Sequence, residues 1–413
     1  MKKNHLLFVC SFLYSLSSNI LSFSFVYLLT DRFSFNPGGV GAYAAMGSSA
    51  YFLGCGIYHR TQGRPWRVIP AAVALTFVSS VLLGQVRDYR VVAVCYILVQ
   101  GSTGLYWPPL MAWFTQGLDE KALNRDISVF NRSWTTGNLL GPLIAGALYH
   151  WDSRINFLAV NTGFLLVLGL LLFLLRRIRR LSPAEELPPA EEDPAAAGRG
   201  AGIESGGRKS PPAAPIAAGL RPKLPREKLM DLYRYRGWIG AVSSNLFVGI
   251  LINIVPLHIR DGLGYTERTA GLVLFVRCVA GLIGFTVLAR FTRWHFNRRW
   301  VILVQGGLVF CALAFVLAGS RIGFYFVIAF LYGFVNSCCY SNSIFYSSAT
   351  GRNPRKNLAL HEIFLSVGSA CGALGGGFCY QRLGFQGAFF VMSLFLGLGL
   401  AAFVMLNNRE RPA

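Results

Sequence analysis

WTTGNLLGPLIAG, residues 134–146, is the stretch that decides the fold of this chain. It is an apolar run in which glycines four and five residues apart would lie close together on one helix face. Since glycine has no side chain, another helix can approach that face at nearly backbone distance. The same spacing recurs 231 residues later, and the six glycines concerned are Gly137, Gly141, Gly146, Gly368, Gly372 and Gly377. The pattern predicts a doubled structure with close-packed helices.

The composition excludes an ordinary soluble protein. Of the 413 residues, 54% are hydrophobic and only 14% are charged, and the mean hydropathy is +0.47. Soluble domains carry about 25% charged residues. Apolar runs of about 20 residues recur, each long enough to cross a hydrocarbon core roughly 30 Å thick. We therefore predict an all-α polytopic membrane protein with the lipid bilayer as its surroundings.

The net charge of +21 does not indicate a nucleic-acid-binding protein. The basic residues lie in short loops between apolar runs, where membrane topology explains them. No pair of the nine cysteines has metal-ligand spacing, and the sequence contains no nucleophile–base set or phosphate-binding loop. We expect no enzyme activity, no metal, no nucleic-acid partner and no cofactor beyond a coupling proton, in a chain that acts as a monomer.

Twelve spanning helices are predicted from the apolar runs. They cover residues 6–30, 38–58, 66–86, 90–114, 126–150, 155–177, 236–260, 267–290, 299–319, 322–349, 357–380 and 385–407. Lysine and arginine concentrate in alternate loops, from Lys2 and Lys3 at the start to Arg409 and Arg411 at the end. By the positive-inside rule, both termini are expected to be cytoplasmic. Compactness and the lack of a glycosylated-looking loop favour a bacterial inner (plasma) membrane.

Between the two sets of helices, proline, alanine, glycine and glutamate dominate. Such a stretch cannot bury a core, and we predict a disordered cytoplasmic linker, with a regulatory role left open. The predicted division is an N-terminal six-helix bundle at 1–177, the linker at 178–235, a C-terminal six-helix bundle at 236–407 and a cytoplasmic tail at 408–413. Residues also match at a shift of 230, as Asp31 with Asp261 and Gly41 with Gly271. Two parallel repeats about an axis along the membrane normal are therefore expected.

With this architecture, the chain resembles the major facilitator superfamily of secondary transporters over essentially its whole length. Residues 137–146 are similar to the fifth-helix signature G-x-x-x-G-P-x-x-G-G, which that family associates with exporters and antiporters, but Ala145 departs from it. The loop between helices two and three lacks the family's aspartate, and Ile97 stands where the fourth-helix arginine would be. The resemblance implies twelve helices in two pseudo-symmetric six-helix bundles, with a weak lean to export.

Two ionisable residues inside the predicted helices are the first candidates for substrate binding or coupling. A charge at the centre of a spanning helix costs at least about 2.5–3.5 kcal/mol. Arg277 is interpreted as a cavity-facing arginine that binds an anionic group or pairs with the coupling acid, and a structural arginine is the alternative. Glu362, partly withdrawn from water in helix eleven, could carry the coupling proton. Alternatively, it pairs with Arg132 of helix five as an intracellular gate.

Polar and aromatic residues on helices one, four, five, seven and ten complete the candidate site. In the family that the chain resembles, helices one, four, seven and ten line most of the cavity. The candidates are Asn19, Gln100, Tyr106, Trp107, Asn131, Asn138, Asn245, Asn253, Asn336 and Tyr340. Each could instead form an interhelical hydrogen bond. The six repeated glycines and Pro142 are candidates for close packing and for bending where the halves move.

The predicted function is movement of a small organic solute by alternating access, coupled to protons and leaning weakly to export. One alternative is proton-coupled uptake of a sugar-like or anionic metabolite. Another is a transporter-like sensor or assembly factor that no longer moves solute.

Overall fold

In a computed structural model, the described residues of the chain are 3–61, 63–115, 120–181, 226–290, 294, 297–349 and 354–408. The first ten helices are α1 Lys3–Phe33, α2 Pro37–Thr61, α3 Pro65–Gln85, α4 Tyr89–Thr115, α5 Glu120–Trp151, α6 Ser153–Leu181, α7 Arg226–Leu257, α8 Glu267–Arg290, α9 Arg298–Leu317 and α10 Ile322–Ala349. The segment Pro354–Asn408 is broken at Gly384, which divides it into α11 (354–383) and α12 (385–408). The twelve predicted helices are confirmed.

The helix boundaries follow from local chemistry. Proline opens α2 at Pro37 and α3 at Pro65, where its missing N–H is no loss. The side chain of Asn297 caps α9 by accepting a hydrogen bond from the Trp300 amide. Gly384 separates α11 from α12 because its φ of 69° is one that residues with a side chain rarely adopt.

Two helices begin six or more residues earlier than the sequence predicted. α5 begins at Glu120 rather than at residue 126, and α7 begins at Arg226 rather than at residue 236. The added turns contain good helix formers such as Arg, Glu, Lys and Leu, but they precede the apolar runs from which the prediction was made. Residues 178–181 and 226–235 of the predicted linker are thus helical. The remainder of that linker, 182–225, and residues 409–413 lie outside the described residues.

Nine stretches of the described residues are long and apolar enough to cross a membrane, by length and composition, and one of them, Leu360–Met405, covers both α11 and α12. α2 and α5 are not among the nine. α2 is rich in glycine, alanine and serine, and α5 carries several charged residues. Both helices pack against the opposite bundle, α2 on α11 and α5 on α8, where a lipid-facing apolar surface is not needed.

The packing is repeated in the two bundles. In the first bundle α1 packs on α5 and α2 on α4, and in the second α7 packs on α11 and α8 on α10. The contacts between the bundles, α2 with α11 and α5 with α8, are also related to each other by the repeat. The alternating helices place both chain ends on one side, here called the terminal side. The opposite side, here called the distal side, carries the α1–α2, α5–α6, α7–α8 and α11–α12 connections.

Candidate functional site

A polar cavity of about 250 Å³ lies between the two bundles. Its walls come from α2 and α4 of the first bundle and from α7 and α11 of the second. The described lining residues are Ser48, Tyr51, Gln100, Asn245, Glu362, Leu365, Ser366 and Ser369. This set contains one carboxylate, no cationic side chain and one aliphatic side chain. The cavity is therefore suited to a ligand that forms hydrogen bonds.

The carboxylate of Glu362 connects the bundles at the cavity wall. The hydroxyl of Tyr51 on α2 donates a hydrogen bond to Glu362 Oε2 at 3.2 Å. The other oxygen, Oε1, receives no hydrogen bond from the described residues. Cys55 of α2 and Tyr340 of α10 are the other titratable groups close to this carboxylate. One carboxylate oxygen is thus held by the first bundle, and the other remains available on a cavity-lining side chain.

Two further predicted candidates line the cavity. Asn245 accepts a hydrogen bond from Ser369 Oγ at 3.4 Å, which joins α7 to α11. Gln100 donates from Nε2 to the hydroxyl of Tyr96 one helical turn away, at 2.9 Å. Gln100, Asn245 and Glu362 are therefore the three sequence candidates that the structure brings together around one space.

Arg277 is not among the cavity-lining residues. Its Nη2 donates to Cys278 Sγ at 3.3 Å, and its buried Nε has no hydrogen-bond partner. Within the described part of the chain, no carboxylate lies within salt-bridge distance of this guanidinium. The proposed pair with Glu362 is thus not formed in this conformation, and no carboxylate of the described residues neutralises Arg277.

The described contacts of Glu362 include the hydrogen bond from Tyr51 but none with Arg132. Arg132 is exposed on α5. Tyr340, also a candidate, packs its ring 5.9 Å from that of Trp134, between α10 and α5. The gate formed by Arg132 and Glu362 stays a prediction for another conformation.

The remaining polar candidates bond within or between helices. Asn19 donates to Asn138 Oδ1 at 2.7 Å, and Cys278 Sγ lies 3.5 Å from the Asn138 carbonyl, which links α5 to α8. Tyr106 stacks on Tyr14 inside the first bundle with ring centroids 3.7 Å apart. The others make short-range contacts: Trp107 with Tyr106, Asn131 with Trp134, Asn253 with Gly249 and Asn336 with Tyr332.

Sequence reasoning missed most of the serines and the tyrosine of the cavity wall. Glu362, Ser366 and Ser369 follow the i, i+4, i+7 spacing of one helix face, so a search outward from the carboxylate would have found both serines. Ser48 and Tyr51 are three residues apart on α2. Small residues dominate that helix, and no single polar position on it stands out.

The repeated glycines form two kinds of contact. Gly137 and Gly141 lie against α1, and Gly368 and Gly372 lie against α7, so these four pack helices within a bundle. Gly146 and Gly377 pack between the bundles. A Cβ on Gly146 would meet the Glu267 carbonyl of α8 at 2.7 Å, and one on Gly377 would meet Gly41 Cα of α2 at 3.0 Å.

The partners of these two glycines also match through the repeat. Gly41 contacts Gly377, while its counterpart Gly271 lies against Gly146 and the carbonyl of Pro142. Two repeat-related glycine contacts thus close the space between the bundles near the distal side.

Ionic contacts reinforce this closure at the distal surface, and we call them the distal network. Arg260, in the π-helix His258–Gly262 after α7, contacts Asp31 Oδ1 of α1 at 2.8 Å and Thr30 Oγ1 at 3.0 Å. Its guanidinium also lies 4.6 Å from the ring centroid of Tyr27. Glu267 of α8 is 3.8 Å from Arg260 on one side and 3.9 Å from His150 of α5 on the other.

Comparisons with known proteins agree with this architecture. No curated protein sequence is significantly similar to the chain. A bacterial homologue of the human lysosomal transporter Spinster, in an inward-facing and unoccupied conformation, matches with a TM-score of 0.71 and 12% identity over 100% of this chain and 99% of that chain. The nucleoside transporter NupG matches with a TM-score of 0.65 and 13% identity over 98% of this chain and 99% of that chain. At such identities the likeness shows the fold alone.

The family comparison extends over most of the sequence. The profile of the Major Facilitator Superfamily matches residues 7–357. Together with the twelve helices in two repeated bundles, this match shows that the chain is an integral membrane protein and a secondary transporter rather than an enzyme. The chain belongs to the Major Facilitator Superfamily.

Proposed function

We propose that this protein moves a small polar organic solute across the membrane by alternating access and couples that movement to protons at Glu362. One observation carries the proposal: the Glu362 carboxylate lines the cavity between the bundles and accepts a hydrogen bond from Tyr51 of the opposite bundle. A carboxylate in this position can contact the solute, and its hydrogen bond to Tyr51 depends on the relative position of the bundles.

The contacts between the bundles support alternating access. The distal network and the two cross-bundle glycine contacts hold the distal side closed, while the cavity lies between the bundles. Rocking one bundle against the other would separate those contacts and expose the cavity to the distal side. With both termini cytoplasmic, as the loop charges favour, this conformation is inward-facing. We place the protein in a bacterial inner membrane because the sequence is compact and has no glycosylated-looking loop.

The proton would act by changing the charge at the cavity wall. In its charged form Glu362 accepts the hydrogen bond from Tyr51, and protonation removes a charge that is costly to move through the membrane. Exchange of solute against protons leads to export when the proton gradient points inward. Arg277 has no contact with Glu362 in this conformation, so the coupling step rests on Glu362 alone.

A second candidate function is uptake of a sugar-like or anionic metabolite. The hydroxyl and amide groups of the cavity wall could hold a sugar. The guanidinium of Arg277, without a carboxylate partner among the described residues, favours an anion, although Arg277 does not line the cavity. A third possibility, a sensor without flux, is distinguished by transport measurements.

The test is transport in proteoliposomes. A thermal-shift screen of the purified protein against metabolites identifies a binder, because a ligand stabilises the state that it occupies. We expect Glu362→Gln to abolish accumulation driven by a pH gradient and to preserve exchange of labelled for unlabelled solute. Arg277→Ala should weaken binding only if the solute is anionic.

Wild-type accumulation in the Glu362→Gln variant would refute the coupling step. Binding without flux in any direction would instead support the sensor. Asp88→Asn, which removes a carboxylate from the α3–α4 connection, is the matched control and should transport normally.

A further inference from the structure

We propose that the solute of this cavity is a small organic monocation and that it competes with a proton for the carboxylate of Glu362. The inference rests on the proposed function and names the solute class of that same site.

The charge of the cavity wall favours a cation. Glu362 is the one charged side chain among the eight described lining residues. Among the described residues, the titratable groups that face it are Tyr51 and Cys55 of α2 and Tyr340 of α10, and His361 precedes it on α11. None of these supplies a fixed positive charge, and His361 directs its Nδ1 to Ser343 Oγ at 2.8 Å. A cationic solute would supply the missing counter-charge.

The geometry of the carboxylate leaves room for that cation. Tyr51 occupies Oε2 at 3.2 Å, and no described residue bonds Oε1. Arg277, the intramembrane cation noted from the sequence, bonds the thiol of Cys278 instead. Tyr51 itself also lines the cavity, and a tyrosine ring attracts an ammonium group placed over its face.

The size and polarity of the cavity favour a small polar cation. A volume of about 250 Å³ is below the range of roughly 300–1,000 Å³ that is typical of pockets for drug-sized ligands. Ser48, Gln100, Asn245, Ser366 and Ser369 offer hydroxyl and amide groups, while Leu365 is the single aliphatic contact. This wall suits a compact cation with a hydroxyl or similar group better than a lipophilic drug.

Competition at one carboxylate makes transport an exchange. When the cation binds, the protonated Glu362 releases its proton to the water on the open side, and the carboxylate then pairs with the cation. When the cation leaves on the other side, a proton from that side restores the neutral carboxyl group. One monocation is thus exchanged for one proton, and neither step requires another charged side chain.

The experiment compares choline with its neutral isostere 3,3-dimethylbutan-1-ol on the purified full-length protein. Choline carries a permanent charge, so any pH dependence of its binding belongs to the protein. We expect choline to bind at least about tenfold more tightly than the isostere by calorimetry. In the pH range where Glu362 is protonated, the apparent Kd of choline should rise about tenfold for each unit of pH decrease. One proton should be released for each choline bound.

Variants of Glu362 test whether this carboxylate is the site at which the cation and the proton compete. Glu362→Gln should abolish the preference for choline and the proton release, whereas Glu362→Asp should keep both with weaker binding. Asp88→Asn should behave as wild type. The inference is overturned if choline and the isostere bind equally, if Glu362→Gln leaves the preference unchanged, or if choline, tetramethylammonium and ethanolamine all fail to bind at millimolar concentration. Proton-coupled transport of a neutral solute, measured separately in proteoliposomes, could still hold after any of these results.

Discussion

The guanidinium of Arg260 contacts the carboxylate of Asp31 at 2.8 Å and thereby joins the second bundle to the first at the distal surface. The two residues lie at the ends of the pseudo-equivalent helices α7 and α1. Asp31 also accepts a hydrogen bond from Tyr149 of its own bundle at 2.9 Å, which fixes the carboxylate for this contact. The pair must separate for the distal side to open, so its strength contributes to the balance between conformations.

We predict that Asp31→Asn shifts the protein toward a distal-open conformation. The Asp31 side chain is 43% exposed and that of Arg260 is 17% exposed, so water screens the pair and its contribution is about 0.2–1 kcal/mol. The ratio of open to closed molecules should rise by up to about fivefold. Spin labels at Arg87 and Tyr265, in a background without Cys371 and Cys379, would report the distance between the bundles.

Asp261→Asn is the matched control for this prediction. Asp261 also pairs with Arg260, at 2.6 Å, but it belongs to the same bundle as the arginine. Its loss removes a similar charge without breaking a contact between bundles. An equal shift in both variants would mean that net charge at the distal surface, rather than the Asp31–Arg260 pair, sets the conformational balance.

The sequence was sufficient to predict this architecture, because several independent sequence patterns agree with one another. The 231-residue shift of the glycines and the 230-residue shift from Asp31 to Asp261 predict two equivalent bundles, and the alternating loop charges support the count of twelve helices. These residue shifts did not show which helix each glycine approaches. Gly137 and Gly146 belong to the same repeated glycine pattern, yet the first contacts α1 of its own bundle and the second contacts α8 of the other. That difference depends on where the bundles meet.

Glycines between the bundles should control conformation, and glycines within a bundle should control stability. A Cβ on Gly377 would meet backbone atoms of Pro37 and Gly41 in α2, so we expect Gly377→Ala to force the distal side apart. A Cβ on Gly372 would overlap the backbone of Leu246 in α7, so Gly372→Ala should reduce the free energy of unfolding by about 1–3 kcal/mol. Spin-label distances and thermal unfolding in detergent separate the two effects.

Gly375 offers the control within the same helix. Nothing lies within 4 Å of a Cβ built on it, so Gly375→Ala should change neither the distance nor the stability appreciably. If Gly377→Ala leaves the bundle distance unchanged, or if Gly375→Ala opens the distal side as well, this glycine contact does not determine distal closure.

The candidate site was harder to predict than the fold. Polar residues of spanning helices line a cavity, bond a neighbouring helix or bond their own helix, and the type of residue does not show which of these occurs. Asn245 and Asn253 lie two turns apart on α7 and each donates to the carbonyl four residues before it, but of the two it is Asn245 that lines the cavity. The carboxylate of Glu362 was found because a charge in a spanning helix is costly, and that argument does not apply to a serine such as Ser48.

Gly384 should be required for the connection between α11 and α12. Its φ of 69° and ψ of −175° lie in a region that is essentially restricted to glycine. No atom lies within 4 Å of a Cβ built there, so the cost of Gly384→Ala is conformational rather than steric. We expect the free energy of unfolding to fall by about 1–3 kcal/mol.

The control for this backbone effect is Gly397→Ala, in the regular part of α12 and also with free space around its Cβ. There alanine should leave stability unchanged or raise it, by at most about 1 kcal/mol. Equal losses of stability in the two variants would argue against backbone strain at Gly384.

Arg277 should lower the stability of the folded protein. It lies in the middle of α8, and its guanidinium has a thiol as its hydrogen-bond partner but no carboxylate within salt-bridge distance in the described ranges. Since a charge at this depth is costly, Arg277→Met should raise the free energy of unfolding, by up to about 2.5–3.5 kcal/mol. Arg290→Met, at the exposed end of the same helix, should not stabilise the protein. Thermal unfolding of both variants tests this prediction, because a loss of stability in Arg277→Met would identify a structural arginine instead.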